Sequence, residues 1–328
     1  MTNIEESLHG RDFISLGDFS AEELYAFWDK AAELKRKLKA GQPHEILKNK
    51  TLVMLFEWPS TRTRLSFETG MQQLGGHAIF VPQQAYWGKE MEPIKDSGRV
   101  MSRYAHGIVW RCFHHEDVVE MAKWASVPVI NANTDFEHPC QVMADLMTTK
   151  EYKGKLKGVK TVIPWSFTAF PKPIGIVNST LYAGSKVGMD VVIACPEGYD
   201  PDESVLKTAR KAAKESGGSI EVVRDMKEAV KGADVVHVKG WSPPAIYRQG
   251  FDKMKPPHVL EPAKYKHWIV TEDVLDLAKK DVIVQHALPV VRGEEATEEV
   301  MDGPRSVIID EAENRLHAQK GVMAIIMR

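Results

Sequence analysis

A segment rich in hydroxyl and guanidinium groups carries the clearest chemical signal in the sequence. Ser60, Thr61, Arg62 and Thr63 follow an apolar run that predicts a strand, and they precede a pattern that predicts a helix. Free N–H groups at a helix start bind anions, and an arginine fork matches phosphate oxygens. The segment therefore predicts a site for a compact dianion, with a Ser or Thr N-cap beside solvated arginines as the alternative. It matches neither glycine-rich nucleotide motif, and we interpret Arg64 as pairing within the protein.

Three further residues could donate hydrogen bonds to a reacting oxygen. His138 and Gln141 are three residues apart at a predicted helix start, so both can face one ligand. Arg111 ends a predicted strand and could serve the same oxygen. An oxygen that gains negative charge in a transition state needs such donors. A histidine before a proline can also be a simple helix cap, so the pair alone is open to both interpretations.

Two other groups of residues also have structural explanations. Arg315 lies beside Glu311 and Glu313 in a predicted helix, where a surface salt bridge is the alternative to an anion contact. The run Cys112-Phe113-His114-His115 suggests a metal cluster, but adjacent histidines cannot easily face one ion. No second cluster in the sequence completes four ligands. We therefore predict no metal and interpret this run as solvated loop residues.

The composition is that of a globular protein. Of the 328 residues 43% are hydrophobic and 27% charged, and 43 basic against 45 acidic residues give a formal net charge of −2. This balance offers no basic excess for a nucleic-acid backbone, and no apolar run reaches the ~20 residues of a membrane span. The N-terminus lacks the features of a signal peptide, and three cysteines fit a reducing compartment. We expect a cytoplasmic protein without nucleic-acid or membrane partners.

Short apolar runs alternate with helical patterns along the chain. The predicted strands are Thr51–Phe56, Ala78–Val81, Gly107–Arg111, Val127–Ile130, Thr161–Pro164, Asp190–Ala194, Ser219–Val223, Val235–Val238 and Val282–Gln285. The predicted helices lie near Ala21–Lys39, Thr63–Leu74, Pro93–Ala105, His115–Ala125, Pro139–Tyr152, Lys172–Val187, Glu203–Ser216, Met226–Val230, Glu272–Ala278 and Ala312–Met327. The aperiodic segment Gly240–His267 predicts a long loop.

This alternation predicts two α/β domains, each a mainly parallel sheet with helices on both faces. The chain length also favours two domains of roughly 150 residues. We predict one domain at residues 1–148, completed by a C-terminal helix at about 312–328, and a second at 149–311. A ligand site is expected in the cleft between them, at the carboxyl ends of the strands.

Four motifs in order resemble those of one family. Ser60-Thr61-Arg62-Thr63-Arg64 resembles the carbamoyl-phosphate signature of the aspartate/ornithine carbamoyltransferase family. His138-Pro139-Cys140-Gln141, His286-Ala287-Leu288-Pro289 and the run from Asp310 to Arg315 resemble its later motifs. The resemblance covers nearly the whole chain. It implies two α/β domains, a homotrimer with active sites shared between subunits, and no metal or organic cofactor.

The resemblance also implies which residues bind carbamoyl phosphate. Thr63, Arg111 and His138 would hold the carbonyl oxygen and catalyse the transfer, and Gln141 would hold the carbamoyl nitrogen. The full implied set is Ser60, Thr61, Arg62, Thr63, Trp87, Arg111, His138, Gln141, Ala287, Leu288 and Arg315.

The loop containing Trp87 and the motif at residues 286–289 have particular implied roles. In the acyl-ornithine branch of the family a Trp in this loop reaches into the adjacent subunit's site, with Tyr86 as the alternative occupant here. The backbone carbonyls of Ala287 and Leu288 can hold the hydrogens of the attacking amine. The departing phosphate is the usual family proposal for the proton acceptor.

The C-terminal half departs from the ornithine enzymes of the family. The ornithine enzymes carry an Asp where this chain has Lys239. They also carry the motif His-Cys-Leu-Pro, in which this chain has Ala287 in place of the Cys. Both changes remove groups suited to the free amino-acid end of ornithine. The sequence Lys-x-Trp at 239–241 and the proline-rich segment at 164–173 instead resemble the N-acetylornithine and N-succinylornithine branch, whose second domain is knotted. That branch, however, carries a Glu where this chain has Thr134, and a carboxylated Lys near where it has Glu295.

The acceptor-binding residues implied by this resemblance are Asn178, Lys239, Trp241 and Leu288. The first hypothesis is transfer of the carbamoyl group from carbamoyl phosphate to a primary amine of ornithine, N-acylated ornithine or a related amino acid, releasing phosphate. Putrescine or another amine is the alternative acceptor, and a noncatalytic ligand-binding paralogue, supported only by Ala287, is the alternative function.

Lys239 also predicts the charge of the acceptor. It follows a central strand, so we expect its ammonium at the mouth of the cleft, where it would attract a carboxylate and repel a second ammonium. Snorkelling to solvent, or pairing with Asp234 or Glu261, is the alternative.

Overall fold

The computed structural model of the chain describes residues 4–86, 88–89, 91–249 and 255–328. Trp87, one of the predicted site residues, lies outside them. The described chain divides into two compact units, Met1–Ala144 with Glu313–Arg328, and Asp145–Ala312. The assignment of carbamoyl phosphate to one domain and the acceptor to the other stays a prediction. No helix among the described residues is long and apolar enough to cross a bilayer.

The described chain contains nine strands and fifteen α-helices. The strands are β1 (Thr51–Phe56), β2 (His77–Pro82), β3 (Gly107–Arg111), β4 (Val129–Asn133), β5 (Lys160–Pro164), β6 (Asp190–Ala194), β7 (Ser219–Val223), β8 (Val235–His237) and β9 (Ile283–Gln285). The helices are α1 (Ile4–Leu8), α2 (Ala21–Lys39), α3 (Thr61–Gln73), α4 (Ile94–Tyr104), α5 (His115–Trp124), α6 (Pro139–Lys153), α7 (Gly175–Lys186), α8 (Glu203–Ser216), α9 (Met226–Val230), α10 (Pro244–Tyr247), α11 (Pro257–Leu260), α12 (Pro262–Tyr265), α13 (Glu272–Leu275), α14 (Glu298–Asp302) and α15 (Ile308–Ile326).

Both sheets are parallel, as the sequence predicted. The first unit contains a four-stranded sheet of order β2-β1-β3-β4, and the second contains a five-stranded sheet of order β7-β6-β5-β8-β9. The inner strands β1, β3 and β5 are buried along nearly their whole length. Such burial is typical of sheets covered by helices on both faces, and the two-domain α/β class is confirmed.

Helix α2 shows how local sequence signals fix an element. The Ser20 hydroxyl accepts a hydrogen bond from the Glu23 N–H at 3.2 Å, and the Glu23 carboxylate accepts one from the Ser20 N–H at 2.8 Å. This reciprocal pair is a capping box, which marks the start of the predicted helix. The helix buries an apolar face containing Leu24, Phe27 and Trp28, and it ends just before Gly41, whose φ is +66°. Capping at both ends therefore explains why the predicted and observed bounds agree.

Two of the expected elements differ clearly from those observed. The segment predicted as a long loop contains the one-turn helices α10, α11 and α12, each of which begins at a proline. Proline favours the first helical position, but one turn is too short to show a helical period. The last helix begins at Ile308 rather than near Ala312, so Arg315 lies two turns inside it. Asp310 and Glu311 occupy its first turn, where acidic side chains are favoured.

The second unit has an aromatic core around Trp165, which follows β5. Its ring makes edge contacts with Tyr199, His258, Tyr265 and Trp268 at centroid distances of 4.8 to 6.1 Å. Such pairs add stability beyond the area that they bury. The core therefore fixes the carboxyl end of β5, from which the proline-rich segment departs.

The proline-rich segment lies beside the segment that contains Lys239. Trp165 forms an isolated parallel bridge with Lys239, and the Ser242 N–H donates to the Lys172 carbonyl at 2.9 Å. The two segments therefore pack side by side, as a knotted second domain would require. Threading of one segment through the other, which would make a trefoil knot, stays a prediction.

Gly240 is packed so tightly that a methyl group there should destabilise the fold. A Cβ would lie 2.7 Å from the Ser166 carbonyl oxygen and 2.7 Å from the Thr168 methyl group. We expect Gly240→Ala to lower the free energy of unfolding by ~1–3 kcal/mol, measured by denaturant unfolding. Gly70→Ala in α3 is the control, because its Cβ would meet the flexible end of Met323 at 3.0 Å. Equal stability of the Gly240→Ala protein and wild type would contradict this packing.

Candidate active site

The hydroxyl-rich segment forms the turn from β1 into α3. Ser60 is the N-cap of α3: its hydroxyl accepts from the Thr63 N–H at 3.4 Å and donates to the Thr63 hydroxyl at 3.0 Å. The cap interpretation is therefore correct for Ser60, and it leaves the turn usable for an anion. The first turn of α3 contains no acidic residue to offset the positive end of the helix. Arg62, in that turn, is half-buried.

Arg315 joins this turn from the last helix. One terminal nitrogen donates to the Gln141 side-chain oxygen at 2.5 Å, and the other donates to the Thr63 hydroxyl at 3.0 Å. Arg315 is 2% exposed, so the surface salt bridge considered from the sequence is wrong. Three predicted site residues from α3, α6 and α15 thus meet at one buried point.

The ends of β3 and β4 bring two more predicted residues to the same edge. Arg111 pairs in register with Phe56, so the end of β3 lies beside the start of the turn. Its guanidinium donates to the Ala132 carbonyl at 3.5 Å, and its Cζ lies 5.0 Å from the ring centroid of Trp58. His138 directly precedes α6 and is 7% exposed. The carboxyl edge of the first sheet therefore carries several hydrogen-bond donors and cations.

Arg64 contacts other side chains of the protein rather than the turn before α3. Its Nε lies 3.1 Å from the Glu68 carboxylate, and its guanidinium lies over the Phe80 ring at 3.8 Å. The prediction that Arg64 pairs within the protein is confirmed.

The second unit buries Lys239, which the sequence placed at the mouth of a cleft. The residue is 6% exposed and its ammonium donates to the Gly240 carbonyl. Burial, followed by the nearby Lys172 charge, lowers the pKa of Lys239 to about 7, although Glu295 opposes the shift. Snorkelling to solvent is excluded by this burial, and Asp234 instead pairs with Lys279 at 2.7 Å. Tertiary packing, which the strand position does not reveal, accounts for the difference.

Glu295 organises the neighbours of Lys239. Its carboxylate, fully buried, accepts hydrogen bonds from Lys172 at 2.6 Å, His286 at 3.3 Å and the Val291 N–H at 3.0 Å. Burial by itself would raise the pKa of Glu295, but His286 and Lys172 outweigh it and hold the pKa well below its usual range. Glu295 is therefore a buried anion paired with Lys172. We call Lys172, Lys239, His286 and Glu295 the lysine cluster.

The His286 ring connects the lysine cluster to Leu288. The Leu288 N–H donates to His286 Nδ1 at 2.8 Å, so Nδ1 is an acceptor and the proton lies on Nε2, facing Glu295. Burial, before any other cause, lowers the pKa of His286, which favours this neutral form. Leu288 has a φ of +47°, an uncommon conformation for a non-glycine residue, and both Ala287 and Leu288 are partly exposed.

The other two predicted acceptor residues are buried. Trp241 is 0% exposed, its indole N–H donates to the Tyr199 carbonyl at 2.8 Å, and its own carbonyl accepts from Trp165. This placement in the aromatic core favours a structural role over direct contact with an acceptor. Asn178 is 1% exposed on α7.

Two groups among the described residues bring potential metal ligands within 4.8 Å of one another: His114 with Glu116 and Asp135, and Asp145 with His237 and Glu311. The run at 112–115 is not uniformly solvated as interpreted, because Cys112 is fully buried.

Four residues at these sites were not among the predicted site residues: Trp58, Lys172, His286 and Glu295. Lys172 stands between two prolines and Trp58 lies within the turn motif, so the charge of Lys172 and the loop position of both residues could have identified them.

Comparisons with known proteins agree with these motifs. Residues 11–151 match the family model described as the aspartate/ornithine carbamoyltransferase carbamoyl-P binding domain, and residues 174–326 match the Asp/Orn binding domain of that family. The ornithine carbamoyltransferase of Pyrococcus abyssi is 45% identical over 98% of this chain and 97% of its own length. That of Carboxydothermus hydrogenoformans is 43% identical over 98% of this chain and 99% of its own.

Solved structures give the same result. Ornithine carbamoyltransferase from Pyrococcus furiosus has a TM-score of 0.89 at 45% identity, with 98% of each chain covered. An acetylornithine transcarbamylase complexed with acetylcitrulline has a TM-score of 0.87 at 36% identity, covering 96% of this chain and 98% of its own. With both family domains matched and relatives this similar along nearly its whole length, the chain belongs to the aspartate/ornithine carbamoyltransferase family.

Proposed function

We propose that the protein transfers the carbamoyl group of carbamoyl phosphate to the side-chain amine of an ornithine-type amino acid and releases phosphate. The observation that carries this proposal is the meeting of Thr63, Gln141 and Arg315 at the start of α3. A buried cation, two neutral hydrogen-bonding groups and a helix N-terminus suit a small ligand that has both a phosphate and an amide-like end.

The phosphate of the donor binds the turn before α3 and Arg315. Ser60, Thr61, Arg62 and Thr63 supply hydroxyls, backbone N–H groups and a guanidinium in this turn. Arg315 adds a buried charge that water screens little. These groups also stabilise the phosphate as it leaves with additional negative charge.

The carbonyl of the donor is polarised by Thr63, Arg111 and His138. When the amine attacks the carbonyl carbon, a C–N bond forms and negative charge builds on the carbonyl oxygen. The bond from that carbon to the bridging oxygen then breaks, and the phosphate takes the proton that the amine loses. Gln141, whose side-chain oxygen already accepts from Arg315, holds the carbamoyl nitrogen. The backbone carbonyls of Ala287 and Leu288 hold the hydrogens of the amine, so the missing thiol at position 287 does not prevent the reaction.

The acceptor carries a carboxylate, and the lysine cluster recognises it. Lys172 and Lys239 supply two ammonium groups, whereas Glu295 supplies one carboxylate and His286 is neutral. When Lys239 is protonated, the cluster therefore has one more positive than negative charge. A carboxylate on the acceptor would neutralise this excess. Ornithine and N-acylated ornithine fit this requirement, whereas putrescine does not. Similarity to relatives named ornithine carbamoyltransferase supports the ornithine type.

The functional assembly is a homotrimer in which a neighbouring subunit completes each site. Family membership supports this part of the proposal. The first unit also exposes large apolar side chains, including Leu65 at 55% and Ile79 at 44%, which suit a subunit contact. Light scattering of the purified protein tests the assembly.

An amine panel tests the reaction. Purified protein is given carbamoyl phosphate with ornithine, N-acetylornithine, N-succinylornithine, putrescine or aspartate, and both phosphate and the ureido product are measured. We expect both products, in equal amounts, with at least one ornithine derivative. Phosphate release that no amine accelerates would contradict the proposal. If carbamoyl phosphate still bound under those conditions, the noncatalytic paralogue would be the better interpretation.

A further inference from the structure

Trp58 lies against one of the proposed catalytic residues. It stands in the turn between β1 and α3, two positions before Ser60, and is half-buried. The centroid of its ring is 5.0 Å from Cζ of Arg111 and 6.0 Å from the ring centroid of Phe113, which it meets edge-on. The indole is thus held by the segment that continues β3, with a guanidinium next to its ring.

The contact with Arg111 is of the cation–π type. A guanidinium within ~6 Å of an indole centroid is attracted by the negative face of the ring. This attraction uses the charge of Arg111 but none of its N–H groups, which can still donate to oxygen atoms. A carboxylate at the same place would accept those N–H groups and reduce the positive charge that a carbonyl oxygen would experience.

We propose that Trp58 is a positioning residue that orients the Arg111 guanidinium toward the carbonyl oxygen of carbamoyl phosphate. This role rests on the proposed function, because it needs Arg111 to stabilise charge on that oxygen. The guanidinium also donates to the Ala132 carbonyl at 3.5 Å. The indole ring, whose centroid lies 5.0 Å from Cζ, is a second contact that can hold the guanidinium in a fixed orientation.

The effect should appear mainly in turnover. Charge on the carbonyl oxygen grows in the transition state, so misdirected donors should lower kcat more than they raise KM for carbamoyl phosphate. Trp58→Leu, which removes the ring face, should lower kcat about 3- to 30-fold. Trp58→Phe keeps a weaker ring face and should fall between wild type and Trp58→Leu.

A series of fluorinated tryptophans at position 58 separates this role from packing. Each added fluorine weakens the negative ring face while the shape of the side chain hardly changes. We expect log kcat to fall steadily with the number of fluorine atoms, at unchanged thermal stability. Trp124 is the matched control: its ring also lies near a cation, Lys95 at 4.6 Å, but it ends α5 outside the site. The same series at Trp124 should leave kcat unchanged.

The possible outcomes separate the positioning role of Trp58 from the proposed carbamoyl transfer. An active wild type with constant kcat across the Trp58 series would overturn the positioning role alone, as would equal losses in the Trp58 and Trp124 series. A wild-type protein that transfers no carbamoyl group would overturn both the positioning role and the proposed function. A steady fall confined to position 58 would support the role even if Trp58→Leu folded poorly.

Discussion

The Arg315→Met protein should bind carbamoyl phosphate about 100- to 1000-fold more weakly than wild type. Arg315 is buried and donates to both Gln141 and Thr63, so its removal takes away a charge that water cannot replace. Truncating one member of such a buried, hydrogen-bonded charge contact costs about 2–5 kcal/mol of binding energy. Methionine retains most of the aliphatic length, which limits the loss of packing. Isothermal titration calorimetry with carbamoyl phosphate measures the effect.

Arg64→Met is the matched control for this experiment. Arg64 lies in the first turns of α3 but pairs with Glu68 and covers the Phe80 ring. Its side chain is about half-exposed, and such surface pairs contribute little, so affinity should change less than threefold. Arg62→Ala should weaken binding more than Arg64→Met does, because Arg62 lies in the proposed phosphate turn. Equal affinities of wild type and Arg315→Met, or equal losses at positions 64 and 315, would refute the proposed phosphate site.

The first sheet and its anion turn could be predicted from sequence because their signals are local. β1 is one uninterrupted apolar run that is buried from Leu52 to Phe56. The capping box at Ser20 and the hydroxyl N-cap at Ser60 each involve residues no more than three positions apart, so their signals are local as well. Parallel strands place their carboxyl ends at one edge, which is why Arg111 and the turn before α3 lie together. Residues that are brought together by topology alone were therefore predictable.

The environment of Lys239 could not be predicted in the same way. Its position after β8 was clear, but its partners come from the proline-rich segment and from a loop after β9. Neither segment has a period that fixes where it packs. Trp241 could not be placed from sequence either. The resemblance of the Lys-x-Trp pattern implied a ligand contact, whereas the indole of Trp241 is buried in the aromatic core. Long-range packing of irregular segments decides these cases.

Lys239→Met should change which amines the enzyme accepts. We expect kcat/KM to fall about 10- to 100-fold for ornithine or N-acetylornithine and to change little for putrescine, because an ion pair at 4 Å contributes ~1–4 kcal/mol, depending on screening. The buried charge of Lys239 and its position beside Lys172 and Glu295 give the physical reason. Lys279→Met is the control, since Lys279 pairs with Asp234 at 2.7 Å, outside the lysine cluster. Putrescine as the best wild-type acceptor would contradict this account.

The pH dependence tests the same residue independently of turnover. Because the pKa of Lys239 is about 7, its charge is present below that pH and disappears as the pH rises through it. The affinity for N-acetylnorvaline, a carboxylate without an amine, should therefore decrease above pH 7, and binding there should take up a proton. The unfolded chain keeps this proton up to the ordinary lysine pKa of 10.5, so Lys239 makes the folded protein more stable as the pH rises from about 7 to 10.5. Lys239→Met should abolish the pH dependence of N-acetylnorvaline binding and reduce the rise in stability. Proton uptake that persists in Lys239→Met would show that another group recognises the carboxylate.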